Sequence, residues 1–543
     1  MKLIKSFEEA LTPAQIIEYL KSIEDNSITD WSQIPSPWVF KNMKKAIELY
    51  QWALTNNFKI KMVHDSDADG LGTYLLSWYF YNAFFYKNVE FIIVDRKEGY
   101  GLLPKHIEPN CLIITADNGI TAKDACNISK QYQNCKVLIT DHHQVDSHFG
   151  EPDADCIINP HIANCDFPFK DINGTFVYWY FLKAVQETYA FNFDMWTFLP
   201  ELTLTTISDV MPLKHINRFI VKQGLQYLKY SNRRWVQTFL NTHKLTEPLA
   251  EDLAFKIIPS INVTGRLTKA DESAAFLIQD DYIMSNQWFG YLNNLNNVRK
   301  KSQENLFKTI EEKYKDWLTF PFILIPGKPE DGFQKGLLGP TAGRLVEKYK
   351  KPAIVLCENN GIYSGSGRSL GDVDILSIIK QNQFIIQEKT GGHKAACGVS
   401  FKKEELNNLW RHCQSETNKL PKEQFEDTEH ILGKLNLRDI TLDLYEDIKK
   451  FEPYGEGFPR PTFLVRGKTK GVKKLGKDGT HVTFELEDGL GCKIKCLYFF
   501  VDTEIKSSEN YSFIVTINHD TFNGRDNVCL FIDKVVDFVD FNR

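Results

Sequence analysis

His64-Asp65-Ser66-Asp67-Ala68-Asp69-Gly70 sets three carboxylates on alternate positions. Upstream, residues 58–63 alternate as a half-buried strand does; downstream, residues 71–85 form a long apolar stretch that predicts a packed helix. The acids therefore fall on a strand-to-helix turn. In an open α/β sheet such a turn lies at the carboxyl end of a strand, where ligands bind. Carboxylates this close repel one another and need a cation or protons between them. A calcium EF-hand loop would need a helix before it and a Glu at its twelfth position. A strand precedes here, and Leu76 stands at that position. A solvated acidic turn would not carry apolar flanks on both sides.

Polar residues recur where the later apolar runs stop. Residues 89–94 end at Asp95-Arg96, 111–115 at Asp117, 136–140 at Asp141-His142-His143, and 156–158 at Asn159-Pro160. Short apolar runs between helical stretches predict a parallel sheet, and the strand ends then converge on one site. Residues 176–189 predict a buried aromatic helix. Asp209 stands in the apolar run 199–213, where an unpaired carboxylate is costly and needs a partner, either a structural Arg or Lys or a metal. Asp117 or Asp141 alone would serve as a helix N-cap. Together, imidazole and carboxylate make a mixed N/O donor set that suits Mn²⁺, Zn²⁺ or Fe better than Ca²⁺ or a thiolate zinc site. Such a set can hold two metals about 3.5–4 Å apart, which implies hydrolytic phosphoryl transfer. No GxxxxGK[ST] loop is present, which argues against an NTPase.

Composition bounds the rest. At 543 residues the chain exceeds one ordinary core. We expect an N-terminal helical segment (1–57), a catalytic domain (58–285), a long exposed linker helix (286–318), a second α/β domain (319–425) and a C-terminal β-barrel (430–543). The net charge of −5 is mild and compatible with a basic groove masked by ligand carboxylates. The 11 cysteines form no CxxC pair, so reduced thiols and a reducing compartment are expected. Cys156, His161 and Cys165 lie close in sequence without an evident fourth zinc ligand. No apolar leader or run of about 20 apolar residues occurs, so a cytoplasmic protein without a membrane partner is expected.

In order, Asp65-Ser66-Asp67-Ala68-Asp69-Gly70, Asp117-Asn118-Gly119, Asp141-His142-His143 and Ser208-Asp209-Val210 resemble the four motifs of the DHH phosphoesterase superfamily. Arg96-Lys97-Glu98-Gly99-Tyr100-Gly101-Leu102, Ile261-Asn262-Val263-Thr264-Gly265-Arg266, Gly365-Ser366-Gly367-Arg368-Ser369 and Gly391-Gly392-His393-Lys394-Ala395-Ala396-Cys397-Gly398 resemble its RecJ branch, whose accessory domain is of the DHHA1 type. Residues 453–461 resemble the segment leading into the RecJ OB domain, so the resemblance spans residues 36–540. It departs at Ser66, where many relatives carry an aromatic residue, at Phe458, which replaces a polar one, and in the approximate match of 261–266.

The resemblance implies an α/β fold: a DHH domain with a parallel sheet, a linker helix, a DHHA1 domain and an OB-fold barrel. It implies a 5′→3′ exonuclease that hydrolyses single-stranded DNA to mononucleotides by two-metal-ion water attack, with two ions of Mn²⁺ or Mg²⁺. Alternatives are an oligonucleotide or cyclic-dinucleotide phosphodiesterase and a catalytically silent DNA-binding replication scaffold. The metal ligands implied are Asp67, Asp69, Asp117, His142 and Asp209. Asp65 and His143 would lie in or beside that shell, with His143 able to hold phosphate, and Asp141 would orient the histidine pair. Arg96, Arg266, Ser366 and Arg368 match positions that grip DNA phosphates, and His393 would help place the scissile phosphate. The implied partners are single-stranded DNA and a helicase or single-strand-binding protein, with the chain a monomer. In the barrel, a basic loop over 466–481 (Arg466, Lys468, Lys470, Lys473, Lys474, Lys477) would track a DNA backbone, with Phe463, Phe484 or Tyr498 as stacking faces; a solvated hairpin is the alternative.

Overall fold

The computed structural model describes residues 2–96, 98–145, 150–382, 390–426, 428–476, 479–501, 503–520 and 526–536. Two short strands, β1 (Lys2–Lys5) and β2 (Ala10–Leu11), open the chain, followed by helices Pro13–Ile23 and Met43–Thr55. Strands β3 (Lys59–His64), β4 (Val89–Ile93), β5 (Cys111–Ala116), β6 (Cys135–Thr140) and β7 (Cys156–Ile158) then form one parallel sheet in the order β4-β3-β5-β6-β7. Strand β5 is buried along its whole length, as the continuous apolar run of a strand covered on both faces requires. After β3 the chain adds β4 on one side and then crosses to β5 on the other. The topological switch point therefore lies between β3 and β5, where a crevice opens at the carboxyl ends of the strands.

The helix Ala68–Ala83 follows β3, and Asp67 is its N-cap, accepting from the N–H groups of Asp69 at 3.2 Å and Gly70 at 3.3 Å. The aromatic run folds as helix Gly174–Thr188 and packs with Met43–Thr55 and the sheet in one apolar core. Asp209 directly follows helix Leu199–Ser208, and helix His215–Leu228 comes next.

The linker is a helix over Tyr282–Lys313, earlier at both ends than the sequence suggests. It is not simply exposed, because Phe289, Leu292, Leu306, Phe307 and Ile310 are buried along it. Beyond it, β8 (Ile323–Gly327), β9 (Ala353–Asn359), β10 (Ile362–Arg368), β11 (Gly391–His393) and β12 (Ala396–Lys402) form a mixed sheet in the order β11-β12-β10-β9-β8. The glycine-rich stretch around Gly365 is thus a strand.

The C-terminal region opens with β13 (Thr428–Ile431) and β14 (Gly433–Leu435). Strands β15 (Phe463–Leu475), β16 (His481–Glu487), β17 (Lys493–Tyr498), β18 (Asn510–Asp520) and β19 (Asn527–Val536) close in the cycle β15-β16-β17-β19-β18-β15, the arrangement of an OB-fold.

Three expectations are corrected here. The N-terminal segment is not purely helical: β1 pairs in parallel with β13 and β2 with β14, so the start of the chain belongs to the barrel side. The basic loop is mostly strand, since Arg466 to Lys474 lie on β15; Lys477 lies outside the described residues. Phe463, Phe484 and Tyr498 point into the barrel, at most 3% exposed, and offer no stacking faces. The period of two along these strands turns the lysines outward and these rings inward. One apolar cluster joins Leu11 and Leu20 to Leu71 and Leu75 of the Ala68–Ala83 helix and to Phe463 and Leu530 of the barrel. Among the described residues, no helix is long and apolar enough to cross a membrane.

Candidate active site

Four chain segments deliver acids and a histidine to the crevice. Asp65, Asp67 and Asp69 come from the turn after β3, Asp117 from the end of β5, and Asp141-His142-His143 from the end of β6. Asp209 comes from the end of helix Leu199–Ser208. His142 Nε2 is the hub, 3.4 Å from Asp117 Oδ1, 3.5 Å from Asp209 Oδ2 and 3.8 Å from Asp69 Oδ2. Backbone geometry fixes each arm. Asp117 sits in the left-handed region at φ +64°, and Asn118 anchors its turn by donating to Val63 O at 2.9 Å and Ala116 O at 3.0 Å. Asp69 accepts from the N–H groups of Gly174 at 2.7 Å and Thr175 at 3.0 Å, at the start of the aromatic helix.

Asp141 is held differently. Its Oδ1 accepts from His142 N (2.7 Å), His143 N (3.1 Å) and His143 Nδ1 (2.8 Å), and its Oδ2 from Ile120 N (2.9 Å). Burial alone would raise its carboxyl, but His143 and these donors bring it down to about 2. Burial would lower His143, yet facing Asp141 it rises to about 9. The two form a close pair: an imidazole raised by the carboxylate it faces, and a carboxylate that accepts at both oxygens.

The remaining acids are not settled. Burial, reinforced by Asp69, Asp67, Asp65 and Asp209, pushes the Asp117 carboxyl well above the usual range. Burial with Asp69 and Asp67 raises Asp209 to about 8, and burial with Asp67 raises Asp65 to about 6 despite Arg96. Arg96 donates to Asp67 at 2.9 Å and reaches Asp65 at 3.4 Å. Asp117 Oδ1 and Asp209 Oδ2 are buried without a hydrogen-bond partner. Buried polar atoms are rarely left so, and a divalent cation would satisfy both. Three sets each bring their ligand atoms within 4.8 Å of one another: Asp65-Asp67-Asp117, Asp69-His142-Asp209 and Asp117-His142-His143. Asp117 and His142 each belong to two of them. The hard oxygen-rich set with one or two imidazoles fits Mn²⁺ or Mg²⁺. Cys156, His161 and Cys165 belong to none of these sets.

Beside the acids, Ser66, Arg96, Asn262 and Arg266 help line a cavity of about 160 Å³. The second α/β lobe reaches the same place. Lys335 Nζ donates to Arg96 O at 3.2 Å, and a Cβ on Gly336 would fall 2.5 Å from Arg266 O. Ser366 and Arg368 lie on β10 against the helix Lys335–Tyr349, where a Cβ on Gly339 would stand 3.2 Å from Arg368 Nη2. Burial first, then the fields of Arg299, Arg96 and Arg368, lowers the Arg266 guanidinium. His393 ends β11, and its side chain lies outside the described residues, as does Lys97.

Sequence reasoning missed several of these residues. Asn262 accepts from Ala68 N at 2.7 Å and braces the acidic turn. It lies inside the quoted 261–266 stretch, where it carried no assigned role. The N–H pair of Gly174 and Thr175 could have been found from Asn173, a good N-cap before the aromatic run. Arg299 had no signal, being one of many polar residues on the linker helix.

Comparison with known proteins agrees with this architecture. The DHH family N-terminal domain matches residues 59–201, the DHHA1 domain 320–418 and the RecJ OB domain 431–534. The chain is 28% identical over 466 residues to the single-stranded-DNA-specific exonuclease RecJ of Bacillus subtilis, covering 83% of this chain and 58% of that protein. It is 27% identical over 479 residues to that of Haemophilus influenzae, covering 83% of this chain and 82% of that protein. The chain thus spans under two thirds of the Bacillus subtilis relative. In structure it is similar to RecJ in complex with Mn²⁺ from Thermus thermophilus, with TM-score 0.79 and 22% identity over 99% of this chain and 79% of that one. The chain thus carries matches to the DHH family, the DHHA1 domain and the RecJ OB domain in that order, and it is similar to RecJ exonucleases over most of its length.

Proposed function

We propose that this protein is a metal-dependent exonuclease that hydrolyses single-stranded DNA 5′→3′ to mononucleotides. The observation that carries this is the hub geometry: one imidazole within 3.8 Å of acids from three segments, two of whose buried carboxylate oxygens accept no hydrogen bond. The relatives named as single-stranded-DNA-specific exonucleases support it. Asp67, Asp69, Asp117, His142 and Asp209 would hold two Mn²⁺ or Mg²⁺ ions, with Asp65 beside them. When bound, such ions supply Lewis acidity and a water of lowered pKa.

The chain's own residues do the rest. Asp141 fixes the His143 ring and keeps it protonated, so His143 can donate a hydrogen bond to a phosphate oxygen at the rim. Arg96, Arg266, Ser366 and Arg368 line the approach from both lobes and would grip the 5′-terminal phosphates, the arginines by their bidentate forks. His393 would assist from the second lobe. The division into 1–57, 58–285, 286–318, 319–425 and 430–543 is retained as a functional division, with the first strands assigned to the barrel side. A strand-specific enzyme needs its strand exposed, so we assign a helicase or single-strand-binding protein as partner to a monomeric chain. DNA as substrate and eleven free cysteines favour the cytoplasm.

The test is digestion of internally labelled single-stranded DNA with Mn²⁺ or with EDTA, using 5′-blocked and 3′-blocked strands. Metal-dependent mononucleotide release that only the 5′ block stops is expected. Cleavage confined to very short oligomers would replace this reading with an oligonucleotide phosphodiesterase, and tight binding without cleavage would replace it with a scaffold.

A further inference from the structure

Arg218 is almost wholly buried, at 2% exposure, yet its hydrogen bonds go to none of the crevice carboxylates. It sits on helix His215–Leu228, the element that follows the Asp209 turn. Its Nη1 donates to Pro453 O at 2.8 Å, and its Nη2 to Phe451 O at 2.9 Å and to Glu24 Oε1 at 2.7 Å. The guanidinium lies 4.2 Å over the Phe458 ring, which stacks on Tyr454. One side chain thus ties the N-terminal helix region, the catalytic domain and the segment before the barrel.

That segment is a tight hairpin, with Gly455 N–H donating to Phe458 O at 3.0 Å and Phe458 N–H to Gly455 O at 3.2 Å. Its outer edge lies on the turn that carries Asp209. Leu213 N–H donates to Glu456 O at 2.7 Å. A Cβ on Gly455 would fall 2.8 Å from Leu213 Cδ1, and one on Gly457 3.3 Å from Pro212 Cβ. On its other side the turn is closed by its own helix, through Asp209 N–H to Thr205 O (3.0 Å), Val210 N–H to Ile207 O (3.2 Å) and Met211 N–H to Thr206 O (3.1 Å), and by Asn217 Nδ2, which donates to Pro212 O at 3.1 Å and to Asp171 O at 2.6 Å. Val210 there has φ +52°, a strained value for a β-branched residue. A strained turn keeps its shape only where its surroundings impose it.

We propose that Arg218 is a positioning residue for Asp209: it locks the pre-barrel hairpin onto the 209–213 turn and so aims Asp209 Oδ2 at His142. This rests on the metal-site reading of Asp209. It also gives the 453–461 segment a role in the catalytic domain rather than only in leading to the barrel.

The test uses the full chain and Mn²⁺ alone as probe, with binding measured by electron paramagnetic resonance below each variant's unfolding temperature. Arg218→Met is expected to weaken Mn²⁺ binding roughly tenfold or more, the range seen when residues supporting a ligand are removed. Val236→Ala, a cavity in the same apolar core, should leave Mn²⁺ binding unchanged. On an Asp209→Asn background, Arg218→Met should add no further loss. Should Arg218→Met not fold, Gly455→Ala keeps the guanidinium cluster but pushes on Leu213, and it should weaken Mn²⁺ binding too. Wild-type affinity in Arg218→Met or Gly455→Ala, or losses that add fully with Asp209→Asn, would overturn the inference while leaving the metal site intact. If wild type binds no Mn²⁺, or Asp209→Asn binds it as wild type does, the metal reading fails and this inference with it.

Discussion

Gly174 stands against Asp117: a Cβ on Gly174 would fall 2.3 Å from the Asp117 Oδ1 oxygen. The same residue's N–H donates to Asp69 at 2.7 Å. One glycine thus sets the spacing of two acids from different strand ends. Gly174→Ala must displace Asp117, because the conflict is with the carboxylate itself. Activity should fall at least tenfold, with a loss in thermal stability no greater than about 2 kcal/mol, within the usual range for a point change. Single-turnover digestion beside a melting curve checks this, and wild-type turnover would refute it.

Asp141→Asn tests the pair that Asp141 makes with His143. Its carboxylate accepts four hydrogen bonds, and an amide cannot accept at both ends. The expected cost is about 1–3 kcal/mol of stability from unsatisfied buried donors. His143 should also return from about 9 toward the ordinary histidine value of about 6.5, read from its ring proton shifts in NMR. A His143 titration unchanged by the substitution would mean that Asp141 does not hold its charge.

Removing divalent cations should destabilise the protein more as pH rises. Asp65 is raised to about 6 and Asp209 to about 8, chiefly by burial, above their unfolded values. The metal-free folded state therefore binds more protons than the unfolded chain, and its stability falls as pH climbs through these values. Melting in EDTA should drop between pH 5.5 and 8.5, while melting in Mg²⁺ should drop less. A gap between the two curves that stays constant with pH would contradict the charge state assigned to the metal-free acids.

The strand ends were legible in the sequence because β3, β5 and β6 are short apolar runs that stop at polar residues. The order of those runs along the chain gives a parallel sheet, and the sheet gives convergence. What was hidden came from long-range pairing. Nothing in Lys2–Lys5 announces a partner at Thr428–Ile431, since a short strand reads as such only beside its neighbour. Arg218 looks like a surface residue of an amphipathic helix until the 451–458 segment covers it. The inward rings Phe463, Phe484 and Tyr498 were misread because a basic stretch suggests a loop, whereas period-two alternation on β15 separates lysines from the core.

Deleting residues from 430 onward should therefore unfold much of the remainder, not merely weaken its hold on long strands. The deletion removes half of the strand that pairs with β1, all of the strand that pairs with β2, the hairpin on the Asp209 turn and the barrel half of a shared apolar core. Far-UV circular dichroism and limited proteolysis of residues 1–429 should show lost cooperativity. A truncated chain that melts as sharply as the whole, and still cleaves short oligomers, would show the barrel to be an independent appendage.

Exposed aromatic faces on the barrel do exist, one and two positions beyond Tyr498. Phe500 is 80% exposed and Phe499 43%, directly after β17. His481 meets both rings edge-on, at 5.4 Å from Phe499 and 4.8 Å from Phe500, and its Nδ1 accepts from Phe500 N–H at 3.0 Å. Leu475 pairs with His481 across the adjoining strands, and the exposed Lys473 and Lys474 precede it on β15. An exposed ring contributes little to folding, so Phe500→Ala should change stability by less than about 0.5 kcal/mol. A base stacked on it is worth about 1–3 kcal/mol, so affinity for a long single strand should fall roughly fivefold or more. Dinucleotide cleavage, confined to the cleft, should not change. Fluorescence anisotropy at two salt concentrations separates the two contributions: Lys474→Ala should flatten the salt dependence, while Phe500→Ala should weaken binding equally at both. Unchanged affinity in Phe500→Ala would remove this face from the path of the strand.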